Sequence, residues 1–192
     1  ILRELEPYRS ELAGVAVEST FNWYWLVDGL MDNGYCAKLV NTCAVQQYDG
    51  LKFTDDRHDA RWLAHLQRLG ILPTGHIYPK EQRPIRDLLR QRSTFVHRRT
   101  AHLLSLQNVV VRNTGNLIKG NALKRLTPEE VHERLDDQHL VLGAEAHLEV
   151  IETFNTQIGR LEKVVLAHGR LKPSFRVLKS IGGVGQTLAL TI

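Results

Sequence analysis

Three carboxylates raise the functional question. The stretch Lys52-Phe53-Thr54-Asp55-Asp56-Arg57-His58-Asp59-Ala60 heads an amphipathic helix, and Asp56 and Asp59 stand three residues apart in it. That spacing projects both side chains from one helix face, about one turn apart. Two like charges so close repel each other unless a cation sits between them. Glu18 ends the apolar run Gly14-Val15-Ala16-Val17, which reads as a β-strand. With that strand beside the helix, the three acids would form an all-oxygen site of the kind Mg²⁺ or Mn²⁺ prefers. The chemistry such a site serves is phosphodiester cleavage. A plainer reading also exists, because acidic residues oppose the macrodipole in the first turn of any helix behind an N-cap such as Thr54. It explains Asp55 and Asp56 better than Asp59, and it leaves Glu18 unexplained.

The elements that must position these acids alternate along the first eighty residues. Residues 2–9 read as helical, 13–18 as a strand, and 21–33 as a helix stopped at Gly34. Residues 35–41 form a second strand, 43–48 a short turn or helix, and 54–69 a helix stopped by Gly70. Such alternation predicts an α/β fold with a parallel or mixed sheet covered by helices. The aromatic group Phe21, Trp23, Tyr24 and Trp25 is expected to pack in the core and at its rim.

At 192 residues, 43% hydrophobic and 24% charged, the chain can bury a core and is not of disordered composition. No apolar run approaches the roughly 18 residues of a membrane span, and no basic region followed by an apolar stretch opens the chain. The expected location is the cytoplasm, without membrane association. Cys36 and Cys43 are too few for a disulfide framework and are expected to be small buried hydrophobes.

A net charge of +4 conceals an asymmetry. Residues 1–79 carry 7 basic and 10 acidic side chains, residues 80–125 carry 11 and 2, and residues 126–192 carry 7 and 9. Within the middle segment Arg83, Arg86 and Arg90 recur at helical spacing, followed by Arg92, Arg98, Arg99 and Arg112. Ile85, Leu88, Leu89, Phe95, Val96, Leu103, Leu106 and Val110 supply an apolar stripe. Residues 80–112 are therefore predicted to form one long helix with a basic face. Such a face attracts phosphate backbones through counterion release, and arginine suits bidentate phosphate contacts. The competing reading is a solvated face that balances the acidic first segment.

Beyond the basic helix, residues 115–127 read as a loop and Thr127-Pro128-Glu129-Glu130 as a helix start. From Ala144 onward apolar residues fall at heptad spacing, with Ala144, Ile151, Ile158 and Val165 in one row and Phe154 and Leu161 in the other. His147 and His168 interrupt the second row. The stripe suits pairing either with the basic helix in the same chain or with a second subunit. The remaining histidines, among them His97, His102 and His139, show no ligand-like convergence. Finally, Leu178-Lys179-Ser180-Ile181-Gly182-Gly183-Val184-Gly185 resembles the hairpin of a helix-hairpin-helix motif, in which Gly183 and Gly185 would expose backbone N–H groups to a DNA phosphate.

In order, the chain has a strand ending in Val-Glu-Ser-Thr, an aromatic helix, a strand ending in Val-Asn, and Asp56-x-x-Asp59-Ala60 heading a helix. An Arg-rich helix, heptads and an Ile-x-Gly-Val-Gly turn follow. This order resembles the Piv/MooV-type insertion-sequence transposases, the bridge-RNA-guided DEDD recombinases, over nearly the whole chain. The resemblance implies a RuvC-like, RNase H-type domain whose four acids bind divalent metal, a helical linker, and a C-terminal domain with a nucleophilic serine. Glu18, Asp56 and Asp59 match the second, third and fourth acids; no Asp precedes Glu18, and the serine would lie beyond Ile192. The family turn usually reads Pro-Gly-Ile-Gly, with Gly182 here at the Pro position.

The expectation is therefore a chain truncated at both ends, or a decayed copy, inactive by itself. Its parts would be a partial RuvC-like domain at 1–79, a basic helix, loop and coiled-coil linker at 80–173, and the start of a transposase domain at 174–192. The implied partners are DNA, a structured guide RNA and a second copy held through the helical region. Two alternatives stay open: a RuvC or RNase H-type nuclease, and a non-catalytic nucleic-acid-binding and dimerisation module.

Overall fold

The computed structural model describes residues 1–20, 22–45, 55–170 and 172–191. Two compact units divide the chain, Ile1–Tyr78 and Pro79–Ile192.

In the first unit a short helix α1 (Leu2–Leu5) tightens into a 3₁₀ turn at Glu6–Tyr8, where Pro7 enters. Strand β1 (Val15–Glu18), helix α2 (Trp23–Asp32) and strand β2 (Ala37–Val40) form a βαβ unit, and the strands pair in parallel with Val15 opposite Ala37 and Glu18 opposite Val40. A parallel pair needs such a crossover, because no tight turn can join its ends. Helices α3 (Thr42–Val45) and α4 (Asp56–Arg68) complete the unit. Gln46, Gln47 and Tyr48 of the expected 43–48 element lie outside the described residues, as do Phe21 and Thr54.

Side-chain alternation along the strands sorts the core into two layers. Val15 and Val17 join Ala37 and Leu39 in a cluster with Trp23, Val27 and Leu30 of α2. Ala16 and Val40 face the other way and pack with Leu63 and Leu66 of α4. Both α2 and α4 end in the same left-handed turn. Gly34 (φ 78°) and Gly70 (φ 72°) take the positive φ, while the N–H groups of Tyr35 and Ile71 reach back to the carbonyls of Leu30 and Leu66. The stops expected at these two glycines are thus Schellman caps.

Two further expectations differ. Cys36 and Cys43 are exposed, since neither points into the two layers that the strand alternation builds. Of the aromatic group, Trp23 is buried with its ring edge-on to Tyr24 at 4.5 Å, whereas Trp25 is 64% exposed.

The second unit is helical. Helix α5 (Arg83–Thr114) has Pro84 in its first turn and ends at Gly115 (φ 71°), whose N–H returns to the Val111 carbonyl. One short helix, α6 (Gly120–Leu123), interrupts the expected loop, and α7 (Pro128–His132) begins at the expected Thr127-Pro128 start. Thr127 opens α7 with a reciprocal capping box: its hydroxyl accepts from the Glu130 N–H and the Glu130 carboxylate accepts from the Thr127 N–H. Asp137 caps α8 (Gln138–Gly169) by accepting from the His139 and Leu140 N–H groups.

Helices α5 and α8 run antiparallel, with Arg92 beside Glu162, Arg99 beside Asn155 and His102 beside His147. Leu103, Leu106 and Val110 meet Val141, Ala144 and Ile151, closed over by Ile118, Leu123, Leu126 and Val131. The row Ala144, Ile151, Ile158 and Val165 is buried throughout. Its apolar stripe therefore pairs with α5 in the same chain, which removes the observation that suggested a second subunit. Residues 174–192, expected to open a further domain, include most of α9 (Pro173–Ser180) and α10 (Gln186–Thr191), and α10 packs on α8. A methyl group at Gly169 would overlap the Leu190 side chain, so the helices approach closely there.

Candidate carboxylate cleft and basic helix

Strand alternation decides where Glu18 goes. Val15 and Val17 face α2, so Ala16 and Glu18 share the opposite face, the one covered by α4. Helix α4 begins at Asp56, and Asp55 supplies its N-cap in place of the expected Thr54, its carboxylate accepting from the His58 N–H at 2.7 Å. That bond engages Asp55 and leaves Asp56 and Asp59 to project from the first turn. Glu18, Asp56 and Asp59 line one cleft of about 430 Å³, floored by Ala16 and Leu63. Gln67, one turn beyond Leu63, donates from Nε2 to the Gly14 carbonyl at 2.8 Å and holds the helix to the approach of β1. Its Oε1 is buried without a partner among the described residues.

Glu18 and Asp56 are exposed and Asp59 is half-buried; none of the three carboxylates bonds to a described residue. No group of three His, Cys, Asp or Glu side chains among the described residues is close enough to hold a metal ion. The expectation that the three carboxylates already stand near enough to share cations is corrected to a shared cleft. The physical reason is that Glu18 and Asp56 are solvent-exposed and like charges repel one another. As a donor set, three unpaired carboxylates on a cleft fit a hard divalent cation, since oxygen donors are what Mg²⁺ and Mn²⁺ take.

The basic helix divides by face. Arg83 is 5% exposed and Arg86 is half-buried with Asp87 at 3.9 Å, so Arg83, Arg86 and Arg90 do not share an exposed face. Arg92 and Arg99 fall on the face turned to α8. Arg92 pairs with Glu162 at 2.7 Å, and Arg99 donates to Asn155 Oδ1 at 2.8 Å while its Nε is buried without a partner among the described residues. Arg90, Arg98 and Arg112 are exposed. Sequence periodicity placed all these arginines on one helix but did not separate those that bond to α8 from those that reach solvent.

At the hairpin, Gly183 takes φ 85° and the Val184 N–H returns to the Ile181 carbonyl at 3.1 Å, while Lys179 Nζ donates to the Val184 carbonyl. Gly183 and Gly185 are exposed. A further feature escaped the sequence reading: the His102 and His147 imidazoles touch across α5 and α8. His147 was visible as a break in an apolar row, but its partner follows only from the pairing register of two helices far apart in sequence. Burial first, and the neighbouring His102 second, hold His147 below the ordinary histidine pKa.

The first unit thus carries an acid-lined cleft between a parallel strand and a helix start, and the second an arginine-rich helix. Residues 3–113 match the model of the family DEDD_Tnp_IS110, described as Transposase. The chain belongs to that family of IS110-type transposases, DNA-processing enzymes of insertion sequences. No curated protein matches it. Among the described residues no helix is long and apolar enough to cross a membrane.

Proposed function

We propose that this chain forms part of an insertion-sequence recombinase that cleaves and joins DNA strands with divalent metal, and that Glu18, Asp56 and Asp59 are the metal-holding acids. The observation that carries the reading is the lining of one cleft by all three carboxylates, none bonded to a described residue. They come from a strand end and a helix start, the elements that a RuvC-like, RNase H-type domain would use. Mg²⁺ or Mn²⁺ bound there would polarise a scissile phosphate. What the chain itself contributes is the placement of the acids: β1 fixes Glu18 on the α4 face, and the Asp55 cap with the Gln67 anchor fixes the start and inner face of α4.

Arg90, Arg98 and Arg112 supply the nucleic-acid contact of α5. Arg83, Arg86, Arg92 and Arg99 act mainly in shaping and holding the helical unit. Gly183 and Gly185 offer a second, smaller contact at the hairpin. The partner is DNA, with a structured guide RNA by family resemblance, and the antiparallel α5–α8 pair is the coiled-coil linker.

A second reading, a nucleic-acid-binding module without catalysis, is favoured by the absence of a three-ligand cluster among the described residues. One experiment separates the two. DNA nicking and joining by the longest product of the gene is measured with and without Mg²⁺ or Mn²⁺, beside Asp59→Asn and Glu18→Gln. Metal-dependent cleavage lost in both variants supports the recombinase; binding with no cleavage under any metal condition leaves the module.

A further inference from the structure

Two imidazoles from different helices meet in the second unit. His102 Nδ1 on α5 lies 3.0 Å from His147 Nδ1 on α8, with ring centroids 5.2 Å apart and ring planes at 64°. Phe154 flanks His102, its centroid 5.9 Å away. Both rings are half-buried, so neither is sealed from solvent. Neither Nε2 has a hydrogen-bond partner among the described residues.

We propose that His102 and His147 form a two-nitrogen chelate for a tetragonal divalent transition ion, Cu²⁺ or Ni²⁺, bridging α5 and α8. Metal–imidazole bonds of about 2.0–2.1 Å that span the 3.0 Å between the nitrogens subtend roughly 90–97°. That angle suits neighbouring positions of a square-planar or octahedral sphere and falls short of the wider tetrahedral angle that Zn²⁺ takes. Copper also leads the affinity order for nitrogen ligands.

The proton balance is simple. With both rings neutral, one Nδ1 carries the proton shared between them, and it must leave before both nitrogens can bind. Transfer to the unpartnered Nε2 of the same ring, through solvent, lets the ion enter without net proton loss. A singly protonated pair releases one proton instead. Water fills the other positions, since no third His, Cys, Asp or Glu among the described residues completes a cluster. Arg98 and Arg99 lie one turn before His102 and oppose a cation, although Arg99 is turned to Asn155. The site is therefore of modest affinity.

Residues 1–192 are loaded with one equivalent of Cu²⁺ for electron paramagnetic resonance and titrated with Ni²⁺ by calorimetry. The expected spectrum carries the hyperfine pattern of two imidazole nitrogens. The Ni²⁺ dissociation constant should rise at least about tenfold in His102→Gln and in His147→Gln and stay unchanged in His97→Gln. Equal affinity in all three variants would assign binding to scattered surface histidines and overturn the proposal. If a Gln variant loses its helical circular dichroism, the unmodified chain decides alone: fewer than two imidazole nitrogens in its spectrum overturns the site.

Discussion

Gln67 Nε2 donates to the Gly14 carbonyl oxygen at 2.8 Å, and this bond ties the helix that carries Asp56 and Asp59 to the approach of the strand that carries Glu18. The two residues are 53 positions apart in the chain. Without such a long-range tie, the cleft would rest on the apolar layer that Ala16 and Val40 form with Leu63 and Leu66.

The same corner predicts a steric sensitivity. A Cβ on Gly14 would stand 2.9 Å from the Cys36 carbonyl oxygen and 3.4 Å from Gln67 Nε2. The first contact is with backbone and cannot rotate away, so Gly14→Ala should cost about 1–3 kcal/mol. Gln67→Leu, which leaves the Gly14 carbonyl without its partner, should cost about 1–3 kcal/mol. Urea unfolding of the two variants checks both; midpoints equal to that of the unmodified chain would show that this tie does not hold the unit.

Arginines on α5 should sort into two behaviours. Replacing Arg90, Arg98 and Arg112 by Gln should weaken nucleic-acid binding and reduce the slope of log K against log salt by about 0.9 for each duplex phosphate left without its guanidinium. Arg92→Gln removes the pair with Glu162, whose side chains are 24% and 43% exposed, and should cost at most about 1 kcal/mol of stability with the salt slope unchanged. Fluorescence anisotropy across a salt series measures the first effect and thermal unfolding the second. An equal change of slope from Arg92→Gln would move the binding surface to the other face.

Stability of the helical unit should fall in mild acid. His147 has a lowered pKa in the fold, first by burial and then by His102 beside it. A histidine with a depressed folded pKa stays neutral there while the unfolded chain takes up the proton near 6.5. Stability is therefore complete well above pH 6.5 and is lost as the pH falls through that value toward the folded pKa. His147→Gln should flatten this dependence in a series of thermal melts between pH 8 and 5; an unchanged slope in the variant would trace the acid sensitivity to other groups.

Thr127→Ala removes the hydroxyl that accepts from the Glu130 N–H at the start of α7 and leaves the other half of the capping box, the residue 127 N–H donating to the Glu130 carboxylate, in place. The expected loss is about 1 kcal/mol, within the range known for N-cap threonines. Because Val131 of α7 is fully buried in the core that α5 and α8 build, the loss should register in the unfolding of the whole helical unit. Hydrogen exchange confined to residues 127–133, with global stability intact, would show that α7 opens independently.

Much of this was legible in the sequence for local reasons. Gly34 and Gly70 marked helix ends because only a residue without Cβ enters the left-handed region cheaply. The row Ala144, Ile151, Ile158 and Val165 announced a buried seam because a period of seven keeps one face inward. The sequence set Glu18 at a strand end and Asp56 and Asp59 at a helix start, while the turn of Glu18 toward α4 is read from the packing of β1. What stayed hidden depends on partners distant in the chain. Arg83 is buried and Arg92 is bound to Glu162, and neither fact follows from the spacing of arginines. The contact of His102 with His147 needs the antiparallel register of α5 and α8, which no local pattern specifies.

Helix α5 runs 32 residues without interruption. Arg90 and Arg112 lie on nearly one side of it and stand ~33 Å apart along the axis, at 1.5 Å per residue. One turn of duplex DNA is about 34 Å long. Two guanidinium groups at that separation can meet phosphates of the same strand one pitch apart, on the same side of the duplex. Because α8 splints α5 along its length, that interval does not stretch. Under the proposed nucleic-acid role of Arg90 and Arg112, the helix would serve as a ruler graduated in turns of the double helix. Lengthening both α5 and α8 by half a turn of duplex, about eleven residues each, would set its outer mark against a groove instead of a backbone.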